Sequence, residues 1–131
     1  LLSNKLSRDR LAEVWQEIAA LCADGNTLLV ASADCSHYLQ PEIAALRDAE
    51  TAEAIAQKDM LRILSFSDSN VDSPQTLTTF LQVVEHQAGV LKQLDHASSA
   101  EKLPFGISHP LYDEGITTYF VYGAWVGESL L

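Results

Sequence analysis

Basic residues are scarce in this chain. Eight Lys and Arg stand against eighteen Asp and Glu among 131 residues, a formal charge of −10. Phosphate binding needs clustered basic side chains, so nucleic acid and anionic membrane are excluded as partners. Cysteine is scarcer still. Cys22 and Cys35 lie on a predicted helix and a predicted loop. They are too few for a disulfide scaffold and not spaced as a zinc-binding pair, which points to a reduced, cytoplasmic protein. No apolar run approaches the roughly 18 residues that cross a bilayer. There is no G-x-G-x-x-G, no phosphate-binding loop and no G-x-S-x-G, so nucleotide binding and serine-hydrolase chemistry have no motif. Internal repeats and low-complexity tracts are absent too.

Hydrophobic residues, in contrast, make up 47% of the chain, enough for one domain with a real core and not for two. The most informative stretch is the apolar run Thr27-Leu28-Leu29-Val30-Ala31 followed directly by Ser32-Ala33-Asp34-Cys35-Ser36-His37-Tyr38. Such a run predicts a buried parallel strand over Thr27–Ala33. Asp34 and His37 then fall at the carboxyl end of a strand, where open α/β sheets place their ligands. An imidazole titrates near neutrality and a neighbouring carboxylate can orient it, so His37 is a candidate general base with Asp34 beside it. The alternative is an Asx-turn at Asp34, with His37 capping the helix that follows.

Around this stretch the expected elements follow in order. A first helix runs from an N-cap at Ser7 to about Ala23, with Leu11, Val14, Trp15, Ile18, Leu21 and Cys22 as its apolar stripe. Asp24-Gly25-Asn26 ends it. Pro41 opens a second helix that fades near Lys58 and turns Ile43, Leu46, Ala49, Ala54 and Ile55 inward. Asp59 caps a short helix, Met60 to Leu64, and residues 65–72 form a loop. Ser73-Pro74 starts a further helix ending at Gly89, with Leu77, Phe80, Leu81 and Val84 inward. Val90 to His96 reads as a strand whose alternation breaks at Leu94. Ala97 to Gly115 reads as a long loop, and the β-branched and aromatic run Thr117 to Val126 as a strand. The expected fold class is α/β, a three-layer sandwich with a mainly parallel sheet. Its opening Leu1-Leu2-Ser3-Asn4, without Met, reads as an entry inside an element, so the domain is expected to be incomplete.

Among the remaining polar residues, Asn70 and Asp72 precede the Pro-initiated helix, where turn and cap roles are common. His86, His96 and His109 share no i, i+4 spacing, so a self-contained helical metal site is not indicated. Ser108 to Gly115 could form a lid or a plain exposed connector.

Taken together, three segments resemble the Memo-like family, which includes protein B of the AmmeMemoRadiSam system and is related in fold to the class III (LigB-type) extradiol ring-cleaving dioxygenases. The first is Leu29 to Tyr38, close to the family's strand followed by S-S-D-x-S-H-Y. The second is the helical spacer containing Arg47-Asp48. The third is Asn70-Val71-Asp72-Ser73-Pro74, with Tyr119-Phe120-Val121-Tyr122-Gly123-Ala124-Trp125 much later. The likeness spans nearly the whole chain, and S-H-Y is its most specific element. It implies that residues 1–131 are the C-terminal half of a Memo-like domain. It also implies that His37 and Asp34 line the family's pocket and that His37 acts as acid/base beside a non-haem iron in the ring-cleaving relatives. The family's metal-ligand His residues lie in the N-terminal half, so iron or another transition metal is expected only in the full-length protein. Where many members carry a Cys before the Pro-initiated helix, this chain has Asn70, which takes the third place among the candidate site residues. Asn is neither soft nor anionic, and a Cys-dependent role loses its ligand.

The resulting expectation is a metal-dependent or redox-type enzyme of unassigned substrate. The alternative is a non-catalytic module of the same fold that binds a small molecule or a protein. The expected partner is the missing N-terminal half or a second copy, joined through an open sheet edge.

Overall fold

The computed structural model describes residues 6–100 and 115–127. Helix α1 (Arg8–Cys22) is followed by strand β1 (Cys35–Leu39), then by α2 (Pro41–Ala56), α3 (Met60–Leu64) and α4 (Pro74–His86). Strands β2 (Val90–Ser98) and β3 (Ile116–Trp125) complete it. The caps expected at two helix starts are present. Ser7 Oγ accepts from the N–H of Arg10 at 3.3 Å, and Asp59 Oδ1 accepts from the N–H of Arg62 at 3.0 Å. Each satisfies one of the donors that a helix start leaves unpaired.

The α/β character holds, but the sheet is not parallel. Its order is β1-β3-β2 and both pairings are antiparallel. The reason lies in the connections. Strands β2 and β3 follow one another in the chain and pair from Ser98–Thr118 to Val90–Trp125, and β1 pairs with the start of β3, at Cys35–Thr118 and Leu39–Ile116. The predicted strand Thr27–Ala33 is not a rung of this sheet. The segment precedes β1 with Leu28 86% and Val30 72% exposed, and the ladder begins only at Cys35. His37 therefore lies inside a strand rather than after one. At Leu94 the broken alternation marks a real irregularity, since the β2–β3 register shifts between Gln93 and Asp95.

The core joins α2, α3 and α4: Ala54, Ile55, Ile63 and Leu81 are buried together, with Leu77, Phe80, Leu91 and Tyr122 against them. Helix α1 packs on α4, and the Trp15 ring lies 5.5 Å from that of His86. On the other side of β3, Tyr119 and Val121 are exposed, so the described residues form two layers and not three.

Helix α2 is rotated relative to expectation. Ile43 and Leu46 face outward, while Ala44, Asp48, Thr51, Ala54 and Ile55 are buried. The inward stripe thus has a carboxylate at its centre, a choice that makes sense only when its partners are in view.

Candidate active site

Strand β1 carries the site through a twist of its backbone. Ser36 and Tyr38 both take left-handed φ, 45° and 54°. For residues with a Cβ this costs on the order of 1–3 kcal/mol each and must be held by the surroundings. At Tyr38 the neighbour is Gly115, itself at φ 96°, where an added Cβ would come within 2.5 Å of the Tyr38 carbonyl carbon. Only glycine admits that approach.

Buried Ser36 is held by side-chain bonds. Its Oγ donates to Asp48 Oδ1 at 2.6 Å and lies 3.2 Å from the Ala44 carbonyl oxygen. The same Oδ1 accepts from Thr118 Oγ1 at 2.6 Å, and Oδ2 lies 2.8 Å from His96 Nε2. One buried carboxylate therefore ties α2, β1, β2 and β3. The ring of His96 also lies 4.5 Å from that of Phe120, its partner across the ladder. Sequence reasoning passed over both residues: Asp48 stood in the helical spacer and His96 at a strand end. Its one available signal was the acid at position 48 between Ala44, Thr51 and Ala54, a small-residue stripe at helical spacing.

The pair picked out in the sequence lies next to this hub. Asp34 Oδ2 and His37 Nε2 are 3.9 Å apart, with side chains 44% and 30% exposed. They meet at the carboxyl end of the extended segment, open to solvent. Backbone bonds hold each in place. The Asp34 N–H donates to Asp72 Oδ1 at 3.0 Å, the Asp34 carbonyl accepts from the Asp72 N–H at 3.0 Å, and the His37 N–H donates to the Asp68 carbonyl at 3.3 Å. Asp72, expected as a helix cap, uses its carboxylate on this loop, while Ser73 is the N-cap of α4. The tyrosine ring of Tyr38 packs 4.2 Å from the imidazole of His37. An imidazole held this way, part-exposed and with a carboxylate 3.9 Å from its Nε2, can accept or donate a proton.

Asn70 does not join them. Its side chain is buried against α2, where Nδ2 donates to Glu50 Oε2 at 3.2 Å, the Arg47 carbonyl at 3.4 Å and Thr51 Oγ1 at 3.5 Å. Bonds from Arg47 first and Asn70 second hold the Glu50 carboxyl below its ordinary value. What reaches β1 is the Asn70 backbone carbonyl, which accepts from the Ser36 N–H at 3.2 Å. Asn70 is a brace between the loop and α2.

Cys35 separates the two Asp–His pairs. Burial, and then the charges of Asp48, Asp72 and Asp34, push its thiol up to about 12. It is a protonated, buried packing residue at neutral pH. Among the described residues no group of three or more His, Cys, Asp or Glu side chains could hold a metal ion. No described helix is long and apolar enough to cross a membrane. His109 and most of the segment Ser108 to Gly115 lie outside the described residues. No family model matches the chain, and neither a curated protein nor a solved structure does.

Proposed function

We propose that this chain is the C-terminal part of a Memo-like domain and that His37 transfers a proton at its pocket, with Asp34 orienting the ring. The observation carrying this reading is the meeting of Asp34 and His37 at 3.9 Å, at the carboxyl end of the apolar segment and open to solvent. The complete protein would be a metal-dependent or redox-type enzyme of three layers, similar in layout to ring-cleaving dioxygenases. The described residues do not make a metal site of their own. Asn70 is turned into α2, the Cys35 thiol is protonated, and two side chains remain. Transition-metal centres need more donors than that. His37 and Asp34 therefore serve the proton, and any metal ligands come from other groups. Metal analysis and turnover of the full-length protein test this. His37→Ala should abolish turnover while leaving metal content and helical circular dichroism unchanged; turnover at the parent rate would overturn it.

A second reading is favoured by one observation, the use of Asn70 as a brace where many family members carry Cys. On this reading the fold is a non-catalytic module that recognises a small molecule or a protein. Under it, His37→Ala leaves partner binding intact. Stoichiometric iron with oxygen-dependent activity in the full-length protein rejects it.

A further inference from the structure

Strand β3 and the extended segment Thr27–Ala33 face each other across a gap. Strand β2 pairs with one edge of β3 from Thr118 to Trp125. On the other edge β1 pairs only at Ile116 and Thr118, so among the described residues no strand accompanies β3 there beyond Thr118. The segment before β1 lines the same cavities as β3, yet no backbone group of Leu28–Ala33 is hydrogen-bonded among the described residues. Between the two lie adjoining cavities of about 310 and 300 Å³, both lined by Leu28, Leu29, Phe80 and Ala124. One wall is the extended segment, the other is β3 from Phe120 onward, and the floor is the apolar face of α4.

The chemistry of this slot selects its occupant. Two facing rows of free N–H and C=O groups need a partner that hydrogen-bonds along both edges, and the floor needs apolar side chains on one face. Water satisfies the first demand and not the second; a small apolar molecule does the reverse. A β-strand satisfies both, since it offers backbone groups on two edges and side chains of alternating direction. Leu28 to Ala33 already alternate between exposed and half-buried, as a strand does.

The source follows from where α1 starts. The Leu6 carbonyl accepts from Gln75 Nε2 at 3.1 Å, in the first turn of α4. That turn begins two residues after Asp72, which exchanges two hydrogen bonds with Asp34, the residue after Ala33. Polypeptide entering α1 thus arrives at the carboxyl end of Thr27–Ala33. Helix α1 carries the chain back, and Asp24-Gly25-Asn26 turn it into the segment. A strand ahead of α1 would lie parallel to Thr27–Ala33, joined to it through the helix as in a β-α-β unit, and antiparallel to β3. A second copy is the poorer occupant, because each copy carries a charge of −10. We propose that the slot between Thr27–Ala33 and β3 is filled by an apolar β-strand of the polypeptide N-terminal to α1. This rests on the reading of the chain as one part of a larger domain.

Hydrogen exchange followed by mass spectrometry tests it on the 131-residue chain and on the same chain with its native N-terminal flank. In the shorter chain, at a concentration where light scattering reports monomers, Leu28–Ala33 should exchange as freely as an unpaired segment. The flank should slow those amides on the order of 100-fold, the signature of a formed ladder. Ala124→Glu places a charge in both cavities and should restore fast exchange in the flanked protein with its helical circular dichroism retained. Fast exchange that persists with the flank overturns the proposal. So does slow exchange in the monomeric shorter chain, where the slot closes on itself, and so does slowing that grows with its concentration, where a second copy fills it. His37-dependent turnover is read separately, so the strand and the proton-transfer reading can fail independently.

Discussion

Two Asp–His pairs flank strand β1, and they differ in almost every physical respect. Asp48 is buried, accepts three side-chain bonds and holds His96 at 2.8 Å. Asp34 and His37 are part-exposed and 3.9 Å apart, a separation at which a surface pair contributes about 0–1 kcal/mol. The first pair ties four elements together, and the second is open to solvent. They are coupled through one residue: Ser36, held left-handed by Asp48, precedes His37 and sets the direction in which its side chain leaves the strand. The contrast teaches that the same two residue types serve different ends according to burial and bonding: the buried carboxylate ties strands and helix together, while the open pair leaves its imidazole accessible to solvent.

Removing the buried acid is the strongest way to break this contrast. Asp48→Ala should destabilise the chain by about 3–5 kcal/mol in urea unfolding, because Ser36 and Thr118 lose their acceptor in a buried setting. Asp48→Asn, which retains an acceptor oxygen, should cost less. A destabilisation below about 1 kcal/mol for Asp48→Ala would mean that the hub is not what holds β1.

Cys35, between the pairs, predicts a pH dependence. Its thiol is raised in the fold from an ordinary 9.0 to about 12, so the folded chain retains a proton that the unfolded chain releases. The neutral thiol's contribution is whole below pH 9.0 and is lost as pH rises toward about 12. Stability measured across that window should fall, and Cys35→Ala should flatten the slope relative to the parent chain. An unchanged slope would show that the thiol titrates as it does in water.

Gly115→Ala should cost about 1–3 kcal/mol, since its left-handed φ and the Tyr38 backbone both resist a Cβ. Its readout sharpens the comparison. The chemical shifts of the His37 ring should move, whereas those of His96, held by Asp48, should not. The smallest effect belongs to the exposed pair. His37→Ala and Asp34→Asn should each leave unfolding within about 0.5 kcal/mol of the parent chain. A larger loss in either would make that residue part of the scaffold.

Much of the helical layer was legible from one-dimensional signals. Ser7, Asp59, Pro41 and Pro74 mark helix starts through local hydrogen bonding and fixed φ, and such signals act over a few residues without tertiary help. The irregularity at Leu94 was visible as broken alternation. The inward face of α2 was not. Ile43 and Leu46 are more apolar than Asp48, and only the hydroxyls of Ser36 and Thr118 with the imidazole of His96 make burial of a carboxylate favourable. The sheet was misread for a related reason. An apolar run states that a segment can be buried as a strand; whether it is paired depends on which edge lies beside it.

What the sequence by itself determined was local. It set the helix starts, the two strands β2 and β3, the net charge of −10, and the placing of Asp34 and His37 three residues apart behind an apolar segment. Tertiary structure decided the rest: the antiparallel order β1-β3-β2, the rotation of α2 that buries Asp48, and the use of Asn70 as a brace rather than a reactive group. The physical reason is range. Caps and turns are satisfied within one or two turns of chain. A buried charge or an open strand edge is satisfied only by partners tens of residues away, as Asp48 is by Thr118 and His96.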